Sequence, residues 1–165
     1  MNRIVLAGIV CLAAVGSLSA HAASAGGAPP CTPKITKIQG HQAAANCGPA
    51  TATLTINGKT YTFRNGFCEQ SKTAAAALLL NLGTVVVGVK GNAGRPYLSI
   101  TIGQTRVAAG VSGADYGGKD LLGTATPLID VKGSIPAKGT FTQRIATGTK
   151  FTGSWNCNGV VYQAP

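Results

Sequence analysis

The chain has 165 residues, of which 45% are hydrophobic and 11% are charged, with 14 lysine and arginine residues against four acidic ones. The formal net charge of +10 at pH 7 favours attraction to polyanions such as nucleic acid, anionic lipid or wall polymer. The cations are scattered singly from Lys34 to Lys150 and do not alternate with aromatic residues, so the chain lacks the usual signature of a nucleic-acid-binding protein. We therefore expect no specific nucleic-acid partner.

The first 23 residues have the layout of a secretory signal peptide. A short basic start at residues 1–3 precedes a mainly apolar run at residues 4–20, and residues 20–22 give the small-x-small pattern of a cleavage site. The apolar run is short for a membrane-spanning helix. We therefore predict that residues 1–23 are removed, and that the mature chain is secreted or lies in the cell envelope, without a transmembrane segment.

The rest of the chain has the composition of one β-rich domain. Residues 24–30 are rich in alanine, glycine and proline and predict a flexible linker, and residues 31–165 have the length of a single domain. Abundant threonine, valine, isoleucine and glycine favour strands and turns. Short segments at regular spacing predict a mainly β fold, an antiparallel β-sandwich or meander, with at most one short helix at about residues 72–82.

The clearest local signal is a β-hairpin in the first third of this domain. Thr51–Ile56 alternates polar and apolar residues, Asn57-Gly58 is the preferred pair for a type I′ turn, and Thr60–Phe63 alternates again. The apolar positions predict a buried face made of Leu54, Ile56, Tyr61 and Phe63.

The middle of the chain is harder to interpret. Ser71 could cap a short helix through Ala74–Leu82. Thr84–Val89 is a β-branched run broken only by Gly88 and predicts a buried strand, and Tyr97–Ile102 alternates. We predict that Val85–Val89 and Tyr97–Ile102 form a second hairpin around a turn at Gly91–Pro96.

The last third contains a turn, a strand and a final hairpin. We predict an exposed turn at Tyr116–Lys119 and a strand at Leu128–Ile135, ended by Pro136. Thr140–Ala146 and Lys150–Cys157 predict the final hairpin, with the threonines and Arg144 facing outward. The residues predicted to face inward are Phe141, Ile145 and Phe151.

Of the five cysteines, Cys11 lies in the predicted signal peptide, and the other four permit three disulfide pairings. We favour Cys31 with Cys47, which closes a local loop, and Cys68 with Cys157, which joins the strand after the first hairpin to the last strand. A redox or metal role is the alternative, but there is no CxxC motif and no histidine at ligand spacing.

Few side chains are candidates for catalysis. His41 is the one histidine certain to remain in the mature chain, and a small secreted hydrolase would need it together with an aspartate. Asp115 and Asp120 flank a glycine turn and are the most closely spaced carboxylates. No motif predicts a metal or a cofactor, so we expect a protein that is not an enzyme.

Three aromatic residues are candidates for ligand contact. Trp155 lies two residues before Cys157, where packing against a disulfide is the ordinary role of a tryptophan and a stacking platform is the alternative. Tyr97 and Tyr116 lie next to predicted turns. The partners that this composition admits are an apolar ligand, an anionic wall polymer or a surface protein.

Several turn and cysteine motifs follow one another in a characteristic order. They are Leu54-Thr-Ile-Asn-Gly-Lys-Thr-Tyr61, Asn65-Gly-Phe-Cys68, Leu80-Asn-Leu-Gly-Thr84, Gly91-Asn-Ala-Gly-Arg-Pro-Tyr97, Gly139-Thr-Phe141 and Phe151-Thr-Gly-Ser-Trp-Asn-Cys157. Over about residues 51–157 this pattern resembles the actinobacterial lipoprotein-antigen family (LpqH-like). The resemblance implies a small β-rich envelope domain, a disulfide matching Cys68–Cys157, and a surface antigen without catalytic residues.

The chain departs from that family in two respects. Val10 precedes Cys11 and more apolar chain follows, so there is no lipidation motif, and Cys31 and Cys47 are additional. We therefore expect a secreted or envelope-associated, non-catalytic domain, either antigen-like or a binding protein. The alternatives are a hydrolase that uses His41 and a basic protein that interacts with membranes or polyanions.

Overall fold

Two β-sheets pack face to face around one hydrophobic core. The computed structural model describes residues 31–71, 76–103, 109–122, 126–127, 130–144 and 148–164. The predicted signal peptide and linker lie outside the described residues. In chain order the strands are β1 (Lys34–Ile38), β2 (His41–Ala45), β3 (Thr51–Ile56), β4 (Lys59–Phe63), β5 (Gly66–Ser71), β6 (Ala76–Val86), β7 (Tyr97–Gly103), β8 (Ala109–Tyr116), β9 (Lys119–Asp120), β10 (Thr126–Pro127), β11 (Asp130–Ser134), β12 (Lys138–Arg144), β13 (Lys150–Asn156) and β14 (Val161–Ala164).

The strand order confirms a mainly β, antiparallel fold with a sandwich-like arrangement. The larger sheet has nine strands and follows the path β1-β2-β6-β7-β8-β10, with β5 beside β6, β14 beside β5, and β9 beside β8. The smaller sheet has five strands in the order β11-β12-β13-β3-β4. Strands β5 and β14 form the one parallel pair among the named strands.

The predicted first hairpin is confirmed as β3 and β4. Its turn places both Asn57 and Gly58 at positive φ, 49° and 76°, which is the backbone conformation that a type I′ turn requires. Leu54 and Phe63 are buried, whereas Ile56 and Tyr61 are partly buried against the same core. The alternation of apolar residues therefore predicted the buried face correctly.

The segment with helix-capping signals is a strand in its described part. Residues 76–82 belong to β6, whereas residues 72–75 lie outside the described residues. Leu78, Leu80 and Leu82 are fully buried and alternate with more exposed neighbours, which is the period of a strand. Consecutive apolar residues concealed this period, and the core selects the strand because it buries three leucines on one face.

The second hairpin uses an earlier segment than predicted. Tyr97–Gly103 pairs with Ala76–Gly83, not with Val85–Val89. The partner changes at Gly83, after which Thr84–Val86 pairs with β2 on the other side of β6. Gly83 has a φ of 79°, and its amide donates to the carbonyl of Asn65 at 3.0 Å. A glycine therefore allows one long strand to serve two neighbours.

The predicted turn at residues 91–96 is held by a buried asparagine. Asn92 has a φ of 52° and only 3% of its surface is exposed. Its Oδ1 accepts from the amide of Val86 at 2.6 Å, and its Nδ2 donates to the carbonyls of Thr84 and Arg95 at 2.6 and 2.8 Å. These bonds join the turn to the end of β6, where β7 no longer pairs with it.

The exposed turn, the strand that follows it and the final hairpin are present in the structure. Phe141 and Phe151 are buried in β12 and β13, and Ile145 lies outside the described residues. Gly117 and Gly118 form the turn between β8 and β9. The strand predicted at Leu128–Ile135 is β11, Asp130–Ser134; residues 128–129 lie outside the described residues, and Ile135 begins the next turn.

Both favoured disulfides are present. Cys31 is bonded to Cys47 and Cys68 is bonded to Cys157. Cys68 lies on β5 and Cys157 directly follows β13, so the second bridge links the two sheets. Both of its cysteines are fully buried within the core, whereas Cys31 and Cys47 remain partly exposed.

Candidate binding surface

Trp155 takes a packing role in the structure. It is 2% exposed, and its ring stacks on that of Phe141 with a centroid distance of 6.4 Å and an interplanar angle of 25°. Its Nε1 donates a hydrogen bond to the carbonyl of Pro136 at 2.8 Å. Because the ring is almost fully buried in this stack, it does not form an exposed stacking platform.

Tyr97 and Tyr116 lie on neighbouring strands but do not converge on one site. The hydroxyl of Tyr97 donates to Oδ1 of Asn81 at 3.1 Å on the outer face of the larger sheet. Tyr116 is 37% exposed and meets Tyr61 and Phe63 edge-on at 5.3 and 5.7 Å, at the margin between the sheets. The three predicted contact residues therefore lie in three separate places.

The residues proposed for catalysis are also separated. His41 is exposed at the start of β2, beside the β1–β2 turn. Asp115 and Asp120 face each other across β8 and β9. Strands β6 and β7 lie between β2 and β8, and this spacing alone is at least about 14 Å. In the described part of the chain, no hydrogen bond or ion pair joins His41 to a carboxylate.

The opposed aspartates are unequal in their environments. Burial and, secondarily, the charge of Asp120 raise the pKa of Asp115 above its ordinary value of 3.8. Oδ1 of Asp120 accepts from the amide of Leu122 at 3.0 Å, so this carboxylate also supports the turn. Across the described residues, no group of three or more histidine, cysteine or acidic side chains could hold a metal ion.

The outer face of the smaller sheet carries a continuous polar surface on β12 and β13. Because Phe141 and Phe151 face the core, the alternate residues of β12 and β13 face outward. The register places them in four directly opposite pairs, which we call the β12–β13 track: Lys138 with Asn156, Thr140 with Ser154, Thr142 with Thr152, and Arg144 with Lys150.

The track has cations at both ends and hydroxyl groups between them. Lys138 lies at one end, Arg144 and Lys150 lie at the other, and the six residues of rise along β12 span about 20 Å. Neither β12 nor β13 contains an acidic residue. This arrangement offers charge contacts at a fixed separation and hydrogen-bonding groups along the way.

Threonines extend the hydroxyl surface onto β3 and β4. Two cross-strand rows carry seven threonines and one serine: Thr60, Thr55, Thr152 and Thr142 in one, and Thr62, Thr53, Ser154 and Thr140 in the other. Oγ1 of Thr53 lies 2.9 Å from Oγ of Ser154, and Oγ1 of Thr55 lies 2.9 Å from Oγ1 of Thr60. The hydroxyl groups are therefore held partly by one another.

A shallow cavity of about 460 Å³ lies at the Lys138 end of the track. It is lined by Lys132, Gly133, Ser134, Lys138, Gly139, Thr140, Ser154, Trp155 and Asn156. Two of these side chains are cationic, three carry hydroxyl groups and one carries an amide. This set of groups suits the oxygens of an anionic, hydroxyl-bearing ligand.

The charges of the smaller sheet are strongly unbalanced. Its outer face carries four basic residues, which are Lys132, Lys138, Arg144 and Lys150. Asp130 is the single acidic residue on the strands of this sheet, and its Oδ2 lies 3.1 Å from Nζ of Lys132. The net field of this face therefore attracts anions.

Part of this surface could be predicted from the sequence. The pattern predicts that the threonines and Arg144 of the final hairpin face outward, but not which residues lie opposite one another. The register brings Lys150 beside Arg144, and the β11–β12 pairing brings Lys132 beside Thr140. Alternation alone fixes the face of a residue and leaves its cross-strand neighbour open.

Comparisons of the chain with protein-family models, with curated proteins and with solved structures found no match. The resemblance to the LpqH-like antigens therefore stays a prediction. Within the described ranges, no helix has the length and apolar character needed to cross a membrane.

Proposed function

We propose that this protein is a non-catalytic, secreted or envelope-associated domain that binds an anionic polymer along the β12–β13 track. The observation that carries the proposal is the placement of cations at both ends of a hydroxyl-lined strip on strands without an acidic residue. Two disulfides and the predicted signal peptide fit an oxidising compartment outside the cytoplasm.

The chemistry of the track favours a polymer that carries phosphate groups and hydroxyl groups, as an anionic wall polymer does. Arg144 and Lys150 would bind phosphate oxygens at one end, and Lys138 and Lys132 would bind them at the other. The threonine and serine hydroxyls between them donate to and accept from polymer hydroxyls. A chain long enough to span about 20 Å would contact both cationic ends at once.

Titration calorimetry of the mature protein against poly(glycerol phosphate) fragments of increasing length tests this proposal. Affinity should rise with fragment length until the fragment spans about 20 Å, and should then change little. The paired substitution Lys138→Gln and Lys150→Gln should weaken binding about tenfold at low salt, because it removes a cation from each end.

Matched controls separate the track from the general basic charge. Lys34→Gln with Lys37→Gln removes the same charge from the larger sheet and should leave the affinity nearly unchanged. An equal loss in both double variants would mean that net charge alone drives binding. Undetectable binding of long fragments at low salt would contradict the proposal outright.

The hydrolase alternative finds no comparable support. His41 and the opposed aspartates lie on strands that two others separate. Converting His41 to alanine should therefore leave polymer binding intact.

A further inference from the structure

Strand β1 forms one margin of the larger sheet. Its five residues pair with β2 in an unbroken antiparallel register, from Lys34 with Ala45 to Ile38 with His41. In the described part of the chain its other side has no strand partner. The strand contains no proline and no bulge, which are common means of blocking such an edge.

An apolar strip leads away from this edge. Ile35 lies opposite Ala44, which lies opposite Val85, and Val87 follows two residues later on the same side. Ile35 is 61% exposed and Val87 is 59% exposed, the two highest values among the described large hydrophobic residues. We call Ile35, Ala44, Val85 and Val87 the edge strip. It offers a second strand apolar contact beside the backbone edge.

The charge of the β1–β2 hairpin determines which kind of incoming strand could bind at the outer edge of β1. Lys34 and Lys37 are both exposed on β1, and neither strand of the hairpin carries an acidic residue. The whole chain has a formal net charge of +10, so two copies repel each other. An incoming segment with acidic side chains would instead be attracted to both lysines.

We propose that the outer edge of β1 takes up an extended acidic segment of another protein by strand addition. Main-chain hydrogen bonds to the free edge would hold the segment, its acidic side chains would pair with Lys34 and Lys37, and an apolar side chain would contact Ile35. This surface lies on the larger sheet and is independent of the β12–β13 track.

A fluorescence-anisotropy titration tests the proposal on the mature protein with a peptide that contains Glu-Thr-Val-Glu. In antiparallel pairing this order places glutamates opposite Lys34 and Lys37, which point to opposite faces of the sheet, and a valine opposite Ile35. The wild-type chain should bind this peptide, and Lys34→Glu with Lys37→Glu should weaken binding at least about tenfold. The matched control, Arg64→Glu with Lys119→Glu, makes the same charge change at two exposed residues outside the β1–β2 hairpin and the β12–β13 track. It should leave peptide affinity within about twofold.

Two peptides distinguish strand addition from simple charge attraction. Each carries N-methyl groups on one of the two alternate sets of residues, which removes the backbone donors along one edge of the peptide and keeps every side chain. One of them should lose binding and the other should keep it.

Equal binding of both methylated peptides, or no binding of the parent peptide, would overturn the proposal. So would a concentration-dependent dimer in sedimentation experiments that Lys34→Glu with Lys37→Glu abolishes, since the edge would then pair with a second copy.

Discussion

Asp115 occupies a position that disfavours its charged form. Because burial and the facing Asp120 raise its pKa, the folded state is favoured most when this carboxyl is protonated. Its contribution to stability is therefore fully present below the unfolded pKa and is lost as pH rises through the folded pKa. A neutral side chain of the same shape would keep that contribution at neutral pH.

We expect Asp115→Asn to raise the free energy of unfolding at pH 7 by less than about 1 kcal/mol, since the carboxylate is still largely solvated. The gain should vanish below about pH 4, where the carboxyl of the parent protein is protonated as well. Urea unfolding at both pH values measures this difference. Asp130→Asn, which breaks an exposed ion pair, should bring no gain; an equal gain there would refute the explanation.

At the scale of the element, β6 depends on a single glycine. The φ of Gly83 is 79°, and a Cβ at this position would collide with the carbonyl of Pro96. The same residue accepts a hydrogen bond from the amide of Asn46 at 2.8 Å, where β6 passes from β5 to β2. A side chain here would disturb both neighbours of the strand.

We expect Gly83→Ala to lower the free energy of unfolding by about 3 kcal/mol or more, because it combines positive-φ strain with a backbone collision. Gly88→Ala is the matched control, since Gly88 also has a positive φ, 73°, but a Cβ added there would meet no atom within 4 Å. It should cost only about 1 kcal/mol. Equal costs in chemical denaturation would show that the collision is relieved by relaxation.

The elements that could be predicted are those specified by local pattern. Alternation and the Asn57-Gly58 pair identified the first hairpin, and alternation identified the last one. In β6 the run of alanines and leucines is apolar at consecutive positions, which conceals its period, so the sequence predicts a helix there and pairs Val85–Val89 with Tyr97–Ile102 instead. The β2–β6 and β5–β14 pairings are non-local, and nothing in a short window specifies them.

The candidate surface was predictable to the same degree. Outward threonines and Arg144 follow from the inward Phe141 and Phe151. Lys132 joins this surface only through the pairing of β11 with β12, which is a property of the assembled sheet. The strand register therefore decides which of the scattered lysines belong to the candidate surface.

At the scale of the whole molecule, the two disulfides stabilise different parts of the fold. Cys68–Cys157 joins the two sheets across a sequence separation of 89 residues, whereas Cys31–Cys47 spans 16 residues and encloses the β1–β2 hairpin. In the chain-entropy description, constraint of the unfolded state grows with the length of the closed loop. The buried bridge also lies inside the core.

We expect Cys68→Ala with Cys157→Ala to cost about 4–5 kcal/mol, and Cys31→Ala with Cys47→Ala to cost about 3 kcal/mol or less. Guanidinium unfolding of both double variants measures the two values. Loss of the local bridge should leave the two-sheet core cooperative. A larger cost for the local bridge would show that the β1–β2 hairpin, and not the joint between the sheets, limits stability.

The threonines of the smaller sheet have a consequence for the thermodynamics of association. A β-branched side chain on a strand has few accessible χ1 rotamers, and hydrogen bonds such as that between Thr53 and Ser154 restrict them further. The side chains of such a surface lose little conformational entropy when a partner binds. Long, flexible side chains such as lysine would lose more. The entropic penalty would then fall mainly on the partner, and a stiff chain would gain over a flexible one of equal charge.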